Sequence, residues 1–356
     1  MLINGRFMTR RATGVDRFAL ELLRAVVAQR PDWSMQLVAP KNAVLACDAP
    51  YGLGVRRLGA GGGHRWEQMA LPRLAGDQVL LNLCNTAPLL RQKQLVVIHD
   101  VATLANPENF SFAFRSWYRV MLAALMRRAH VIATVSRFSA GELTRLFGAR
   151  QSGLEVIYEG GEHILREPAD ESVIDRLMLR ERRYVLAVGS QSPNKNVATV
   201  AHALDLLDEP DLLLVAVGGS NSRIFADAAM SHARVISAGY VSDQQLRALY
   251  EHAACFVFPS FYEGFGLPPL EAMCCGCPVV VSDRASLPEI CGDAALYCNP
   301  DDPETLARQL RVVLNSTSAC QELCLAGRER AALFSWERTA RRFIEILDAK
   351  FGASDL

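Results

Sequence analysis

The 356-residue chain contains no apolar run of the ~18–20 residues that a membrane-spanning helix needs. Its first residues, "MLINGRFMTRR", lack the order of charges and the apolar core of a signal peptide. The expected location is therefore cytoplasmic, with attachment to a membrane surface the most it would have. No compact Lys/Arg run and no zinc or RNA-binding signature is present, which sets nucleic acid aside as a partner. The cysteine cluster "CCGC" (Cys274, Cys275, Cys277) has no second pair at zinc-site spacing, so no metal is expected. Most of the 10 cysteines sit in apolar runs such as "AACFVF" and "LLNLCNT", where a thiol packs as a small hydrophobe. No G-x-G-x-x-G follows the first strand-like run, and "GAGGGH" at 59–64 breaks that spacing and reads as a flexible loop. Neither G-x-x-x-x-G-K-[ST] nor G-x-S-x-G occurs. These absences count against dinucleotide oxidoreductases, P-loop enzymes and α/β-hydrolases.

A formal net charge of zero hides an asymmetry. Residues 1–160 carry 20 Lys+Arg against 11 Asp+Glu, and the remainder carry 18 against 27. The basic half suits an anionic partner, such as a membrane surface or a phosphorylated acceptor; the plain alternative is an unevenly charged solvated surface.

What the chain does have is strand–helix alternation. Short Val/Ile/Leu runs ("MQLVAP", "QVLLNLC", "QLVVIHD", "HVIATVS", "LEVIY", then "YVLAVGS", "LLLVAVGG", "RVISAGY", "ACFVFPS", "PVVVSD", "ALYC") read as strands buried on both faces. Amphipathic helical patterns such as "GVDRFALELLRAVVAQ" and "SDQQLRALYEHA" fill the gaps. The fold class is α/β. The length suits two domains. The polar stretch at 161–183 divides them, giving a first domain over 1–165, a second over 178–335, and a last amphipathic helix within 336–356. Ligands of open α/β sheets sit at the carboxyl ends of the strands, so the loops there are the places to search.

The densest of these loops is "FYEGFGLPPLEAM". Gly264 and Gly266 permit backbone conformations closed to other residues, and Pro268 and Pro269 suit the first turn of a helix. A helix start of this kind attracts phosphate. Glu263 and Glu271 at its two ends would repel a bare phosphate, so the ligand must also offer neutral donors, and sugar hydroxyls are the obvious ones. A nucleotide sugar, with ribose on one side of its diphosphate and hexose on the other, fits that demand. The alternative is a dipole-complementing Glu271 and a solvated Glu263. In "VGSQSPNKN", Lys195 is a cation suited to a diphosphate, with Ser190 and Ser192 as further donors. "VGGSNSR" repeats the theme more weakly with Gly218, Gly219 and Arg223. His99 ends a strand and can act as acid, base or donor, or serve the core. Gly14 opens a helix just after Arg10 and Arg11, a second candidate anion contact.

Glu263 and Glu271 match the E-x7-E motif of retaining GT-B glycosyltransferases, and the chain resembles the family 4 sugar transferases of bacterial surface-polysaccharide assembly, mannosyltransferases among them. "WEQMALP", "VIHDVATLANPENF", "TVSRFSAGEL", "VGSQSPNKN", "GYVSDQQLRALY" and "VVVSDRASLPEICGDAALYCNP" resemble that family in order along nearly the whole chain. The resemblance implies two Rossmann-like domains facing across a cleft, with the C-terminal helix packed back on the first, acceptor-side domain and the nucleotide sugar held mainly by the second. It implies that Glu263 faces the donor sugar, Glu271 the ribose hydroxyls, and Lys195 the diphosphate, helped by the amides of Phe265, Gly266 and Leu267. It puts Gly14 at the phosphates, His99 by the reacting centre, and Tyr240 and Val241 near the base. The nucleotide diphospho-sugar is then a substrate, no cofactor or metal is expected, and a glycan or lipid-linked acceptor receives the hexose with retention. GDP-mannose is the first guess for the donor. Rival readings are an epimerase or inverting transferase of the same fold, or a non-catalytic nucleotide-sugar-binding subunit. Two positions depart from the family: Asn194 stands where an arginine often precedes the lysine, and Ser190 where some members carry arginine. Arg10, Arg11, Arg137 and Arg223 are the candidates to make up the charge. Lastly, Phe110, Phe112, Phe114, Trp117 and Tyr118 lie among Arg115, Arg119, Arg127 and Arg128, a composition suited either to an anionic membrane interface or to packing inside the first domain.

Overall fold

Runs of three to five apolar residues become strands here because both faces of each sheet are covered by helices. In the computed structural model, which describes residues 1–50, 52–107, 111–150, 153–189, 192–218, 234–352 and 355, every strand pairing is parallel. The chain divides into two units: residues 1–159 with 336–356, and residues 160–335.

The first unit holds β1 (Leu2–Asn4), β2 (Gln36–Ala39), β3 (Val55–Arg57), β4 (Leu80–Asn82), β5 (Gln94–Val97), β6 (Val131–Thr134) and β7 (Glu155–Val156), in the order β3-β2-β1-β4-β5-β6-β7. The second holds β8 (Tyr184–Val188), β9 (Leu213–Val217), β10 (Val235–Gly239), β11 (Cys255–Phe258), β12 (Val279–Ser282) and β13 (Leu296–Cys298), in the order β10-β9-β8-β11-β12-β13. Inner strands such as β5, β6, β11 and β12 are buried at every residue, whereas the edge strands β3 and β7 are not. Each order is that of the doubly wound fold, with a switch point between the first and fourth strands of the unit, β1/β4 and β8/β11.

The unit boundary differs from the one expected from sequence. The polar stretch after Glu159 is neither the end of the first domain nor a linker; it opens the second unit. A one-turn 3-10 helix, Glu162–Leu165, and the helix Ser172–Arg176 bury Ile164, Val173 and Ile174 there. Apolar burial, not average polarity, sets the boundary. The last helix, Trp336–Lys350, belongs to the first unit and packs on the helix Gly14–Gln29. Trp336 meets Phe18 edge-on at 6.0 Å, Thr339 Oγ1 donates to the Tyr158 carbonyl at 2.8 Å, and Arg342 pairs with Glu155 at 2.7 Å. Among the described residues, no helix is long and apolar enough to cross a membrane.

Candidate functional site

At the β8/β11 switch point the loops leaving the two strands run side by side. Lys195 comes from the loop after β8 and Glu263 from the loop after β11. Their Nζ and Oε1 are 2.6 Å apart, with side-chain exposures of 20% and 13%. The ammonium also lies 5.0 Å from the centre of the Phe258 ring, at the end of β11, which pins it by cation–π attraction. Because an ammonium has three donors, its bond to Glu263 leaves two for a ligand. The pair is thus a cation and an acceptor presented together at a sheet edge.

The two loops are buckled to each other. The Asn194 side chain donates to the Tyr262 carbonyl at 2.6 Å, and the Phe261 amide donates to the Asn194 carbonyl at 2.9 Å. Asn196, left-handed at φ 53°, donates to the carbonyls of Pro259 (3.2 Å) and Pro300 (2.7 Å) before the helix Val197–Asp205 begins. From the third loop, the buried Ser286 hydroxyl lies 3.0 Å and 2.7 Å from the Glu263 and Phe265 carbonyls. Asn194 therefore shapes the site through its amide nitrogen, while its Oδ1, like the Ser260 hydroxyl, is a buried polar atom with no hydrogen-bond partner. Such atoms are rare enough in folded proteins to mark a place for a polar ligand or water.

Gly266 turns the chain into the helix Leu267–Cys274. Its φ is 112°, and a Cβ there would lie 2.8 Å from Leu287 Cδ2, so neither backbone nor space admits a side chain. Pro268 and Pro269 follow directly and have no N–H to offer. Among the described residues no acceptor is paired with the Gly266 or Leu267 amide. These two amides, rather than a whole first turn, are what the helix start has available for an anion. Phe265 is buried and stacks edge-on against Phe334 at 6.0 Å, so its side chain anchors the turn.

Glu271, one turn into that helix, is 6% exposed. His163 Nε2 lies 2.9 Å from its Oε1, and the Tyr250 hydroxyl donates to its Oε2 at 3.1 Å. Burial, and then the Glu271 charge, push the Tyr250 hydroxyl well above its ordinary pKa, so it remains a neutral donor. A carboxylate has about four acceptor positions. Two are filled, and the rest can still take hydroxyl donors.

Of the other sequence candidates in this unit, Tyr240 is 52% exposed just beyond β10 with Val241 beside it. Ser190, Gly219 and Arg223 lie outside the described residues. In the first unit, Gly14 is exposed at the start of its helix, and a Cβ there would meet nothing within 4 Å. The same turn carries a capping box between Thr13 and Asp16, and Asp16 takes Arg10 at 2.8 Å. Arg10 is thereby partly neutralised. His99 is buried: Nε2 lies 2.9 Å from the Leu83 carbonyl, Nδ1 3.4 Å from Glu159 Oε1, and the ring meets Phe18 edge-on at 4.7 Å. With a carbonyl as neighbour, Nε2 donates its N–H to Leu83. This imidazole is held tightly at the end of β5.

Sequence reasoning missed a second polar centre, at the β1/β4 switch point. Glu67 is fully buried and lies within hydrogen-bond reach of Asn4 Nδ2 (2.9 Å), Thr86 Oγ1 (2.8 Å), Arg6 Nε (3.2 Å) and His64 Nδ1 (3.1 Å). Asn4 continues the network to Asn82, and Asn82 to Gln94, across the middle of the sheet. Burial works against the Glu67 charge. The His64 hydrogen bond, the Arg6 charge and the Asn4 and Thr86 hydrogen bonds outweigh it and hold the carboxyl below its ordinary pKa. His163, Tyr250 and Ser286 were missed too. Only Asn196 carried a usable signal, a cap residue before an apolar helical run.

The two doubly wound units are those of the GT-B fold, and the chain is a glycosyltransferase. Over 99% of its length the chain resembles sucrose-phosphate synthase from Thermosynechococcus elongatus (TM-score 0.80, 21% identity, 98% of that chain). Over 98% it resembles WaaG, a glycosyltransferase involved in lipopolysaccharide biosynthesis (TM-score 0.75, 16% identity, 98% of that chain). A further likeness is Anabaena HepE in complex with UDP-glucose (TM-score 0.76, 17% identity, 98% of each chain). At these identities the likeness speaks to fold alone. In sequence, residues 174–330 match the family of glycosyl transferases group 1. The chain is 32% identical over 264 residues to the O-antigen chain mannosyltransferase B of Escherichia coli, covering 71% of this chain and 69% of that protein. To the serotype-specific mannosyltransferase WbdA of the same species it is 32% identical over 270 residues, 71% of this chain but only 33% of that protein. The chain belongs to the group 1 glycosyl transferases.

Proposed function

We propose that this glycosyltransferase moves a hexose, with mannose as first choice, from a nucleotide diphospho-sugar to a glycan or lipid-linked acceptor in the assembly of a cell-surface polysaccharide. The Lys195–Glu263 pair at 2.6 Å carries the reading: one cation for the diphosphate beside one acceptor for the sugar hydroxyls. Relatives among the O-antigen chain mannosyltransferases of Escherichia coli and Salmonella typhimurium support mannose and the polysaccharide. GDP-mannose is accordingly the donor proposed.

In this reading Lys195 and the Gly266 and Leu267 amides stabilise the leaving diphosphate as the bond from the anomeric carbon to phosphate oxygen breaks. The acceptor hydroxyl attacks from the same face, its proton goes to the departing phosphate oxygen, and the configuration is retained. Charge stabilisation at a developing anion is the kind of effect that dominates such barriers. Lys195 and those amides are proposed to supply the charge stabilisation that a metal ion supplies in other enzymes. Ser190, Tyr240, Val241 and Gly14 are proposed to line the donor, and His99 the reacting centre. The site of action proposed is the cytoplasmic face of the membrane, where the basic first unit meets anionic lipid.

A panel of nucleotide sugars, with and without EDTA, tests the assignment. The expected result is hydrolysis or transfer from GDP-mannose that survives EDTA, with an α-linked product from the α-linked donor. Preference for a UDP-hexose, or an inverted product, overturns the donor or the stereochemical assignment respectively.

A further inference from the structure

We propose that His163 is a positioning residue for Glu271, and that through it the enzyme selects ribonucleotides over their deoxy counterparts. The proposal rests on reading Glu271 as the carboxylate that accepts the ribose hydroxyls.

A glutamate has three rotatable bonds, so a carboxylate that must read two hydroxyls has to be held. Both Glu271 oxygens are gripped from within the protein. Tyr250 on Oε2 comes from the helix Asp243–His252, and His163 on Oε1 comes from the segment that opens the second unit. The His163 side chain is 1% exposed and that of Glu271 8%, so water does not compete for this contact. With Oε1 as neighbour, Nε2 acts as a charge-assisted donor, the stronger kind of hydrogen bond. The neutral Tyr250 hydroxyl donates to the other oxygen, and the remaining acceptor positions then have one orientation.

The segment is built to reach this point. It lies against the helices Asp243–His252 and Leu267–Cys274. A Cβ on Gly161 would sit 2.8 Å from Leu270 Cγ and 3.0 Å from Cys274 Sγ, so only glycine lets the backbone come this close to the Glu271 helix. Two residues later His163 meets the carboxylate 108 positions further along the chain. A histidine that merely filled the core would not need a glycine-backed approach to the one carboxylate on that helix.

A site that hydrogen-bonds a hydroxyl rejects the analogue lacking it, because its own acceptor is left unpaired. One such bond to a charged group corresponds to roughly 10–100-fold in affinity. The test is calorimetry with GDP, UDP and their 2′-deoxy and 3′-deoxy forms, read as the ribo-to-deoxy affinity ratio of whichever base binds better. Wild-type enzyme should give a ratio of at least about 10. His163→Phe, which fills the space without a donor, should bring the ratio toward one. His163→Gln, which keeps an amide donor, should restore part of it. A structural contribution alone would weaken all nucleotides alike and leave the ratio in place. A wild-type ratio near one, or a Glu271→Gln variant that keeps the wild-type ratio, overturns the ribose reading itself. Loss of the ratio in Glu271→Gln but not in His163→Phe overturns the role of His163 alone. If His163→Phe does not fold, His163→Ala and Gly161→Ala decide, and a wild-type ratio in both rejects the proposal.

Discussion

At the first switch point Glu67 has no exposed surface and collects contacts from Asn4, Arg6, His64 and Thr86. At the second, Glu263 stands 13% exposed beside a lysine whose remaining donors are open to a ligand. Both carboxylates lie where a doubly wound sheet reverses its strand order, and both are paired with a cation. The difference is how far each network is closed. The first is carried through Asn82 and Gln94 into the middle of the sheet and ends on backbone carbonyls of Pro88 and Arg91. The second stops at buried atoms without partners, Asn194 Oδ1 and Ser260 Oγ. One fold thus supports a polar centre that ties a sheet together and another with bonding capacity to spare. Strand order finds both places, and only the count of unfilled donors and acceptors distinguishes them.

The largest expected effect is on the closed centre. Glu67→Ala leaves Arg6, 18% exposed, without its buried partner and removes one hydrogen bond each from Asn4, His64 and Thr86, and should destabilise the protein by about 3–5 kcal/mol in urea unfolding. The same group predicts a pH dependence. Its folded pKa is depressed, so its contribution is complete above the ordinary carboxylate value of 4.5 and is lost as pH falls below that toward the folded value. Glu67→Gln should be less stable than wild type at pH 7, and the gap should narrow as the pH drops below 4.5. A gap independent of pH would mean that Glu67 is not ionised in the fold.

At the open centre the effect moves from stability to turnover. Lys195→Ala should lower turnover by about 10²–10³-fold, as removal of a preorganised donor does, with little change in unfolding. It should weaken nucleoside diphosphate and nucleotide sugar far more than the free nucleoside. Equal losses for all three ligands would remove Lys195 from the diphosphate.

Smaller and more discriminating is the contrast between the two glutamates of "EGFGLPPLE". Glu263→Gln should lower turnover while the nucleoside diphosphate still binds. Glu271→Gln should weaken the nucleotide itself, by roughly 10-fold for a lost charge-assisted hydrogen bond. Interchanged phenotypes would reverse the assigned roles.

The same contrast explains what could be read from sequence. Eleven strands were visible as Val/Ile/Leu runs because buried parallel strands are apolar on both faces. The two that escaped are β1 and β3. β1 has only three residues and includes Asn4, so it shows no period, although it is an inner strand of its sheet. β3, "VRR", is an edge strand with its arginines exposed. The open centre was legible because its residues are close in sequence and of telling types: two acids around a Gly/Pro turn, and a lysine in a post-strand loop. The closed centre was not, since Asn4, Glu67, Asn82 and Gln94 each look ordinary until the sheet aligns them. His163 was hidden by the polarity of its neighbours, which pointed to a domain boundary. The last helix showed its apolar stripe but not the surface that covers it, because amphipathicity gives a face and no address.

The smallest expected effect concerns the helix Phe112–Arg128, where the two readings of the aromatic–basic stretch divide. Ser111 caps it by accepting from the Phe114 amide at 3.3 Å, so the helix starts beyond Asn106 and Pro107. Tyr118 is buried at 7% exposure, as a packing role requires. Phe112 (77%), Phe114 (44%), Trp117 (39%) and Val120 (60%) are not, and Arg115 lies over the Phe112 ring at 5.8 Å. Phe110 lies outside the described residues. Exposed aromatics beside arginines suit the boundary between acyl chains and anionic headgroups, where each basic residue contributes about 1 kcal/mol that salt weakens. The protein should therefore sediment with vesicles containing anionic lipid and not with neutral ones, and raised ionic strength should release it. Arg115→Gln and Arg119→Gln should each weaken this binding by roughly 5-fold, one such contribution, and leave donor hydrolysis unchanged. Phe112→Ser should weaken it at every salt concentration, because its share is apolar. If the wild-type protein ignores anionic vesicles at low salt, the exposed face has another use and the membrane is not the partner of the basic unit.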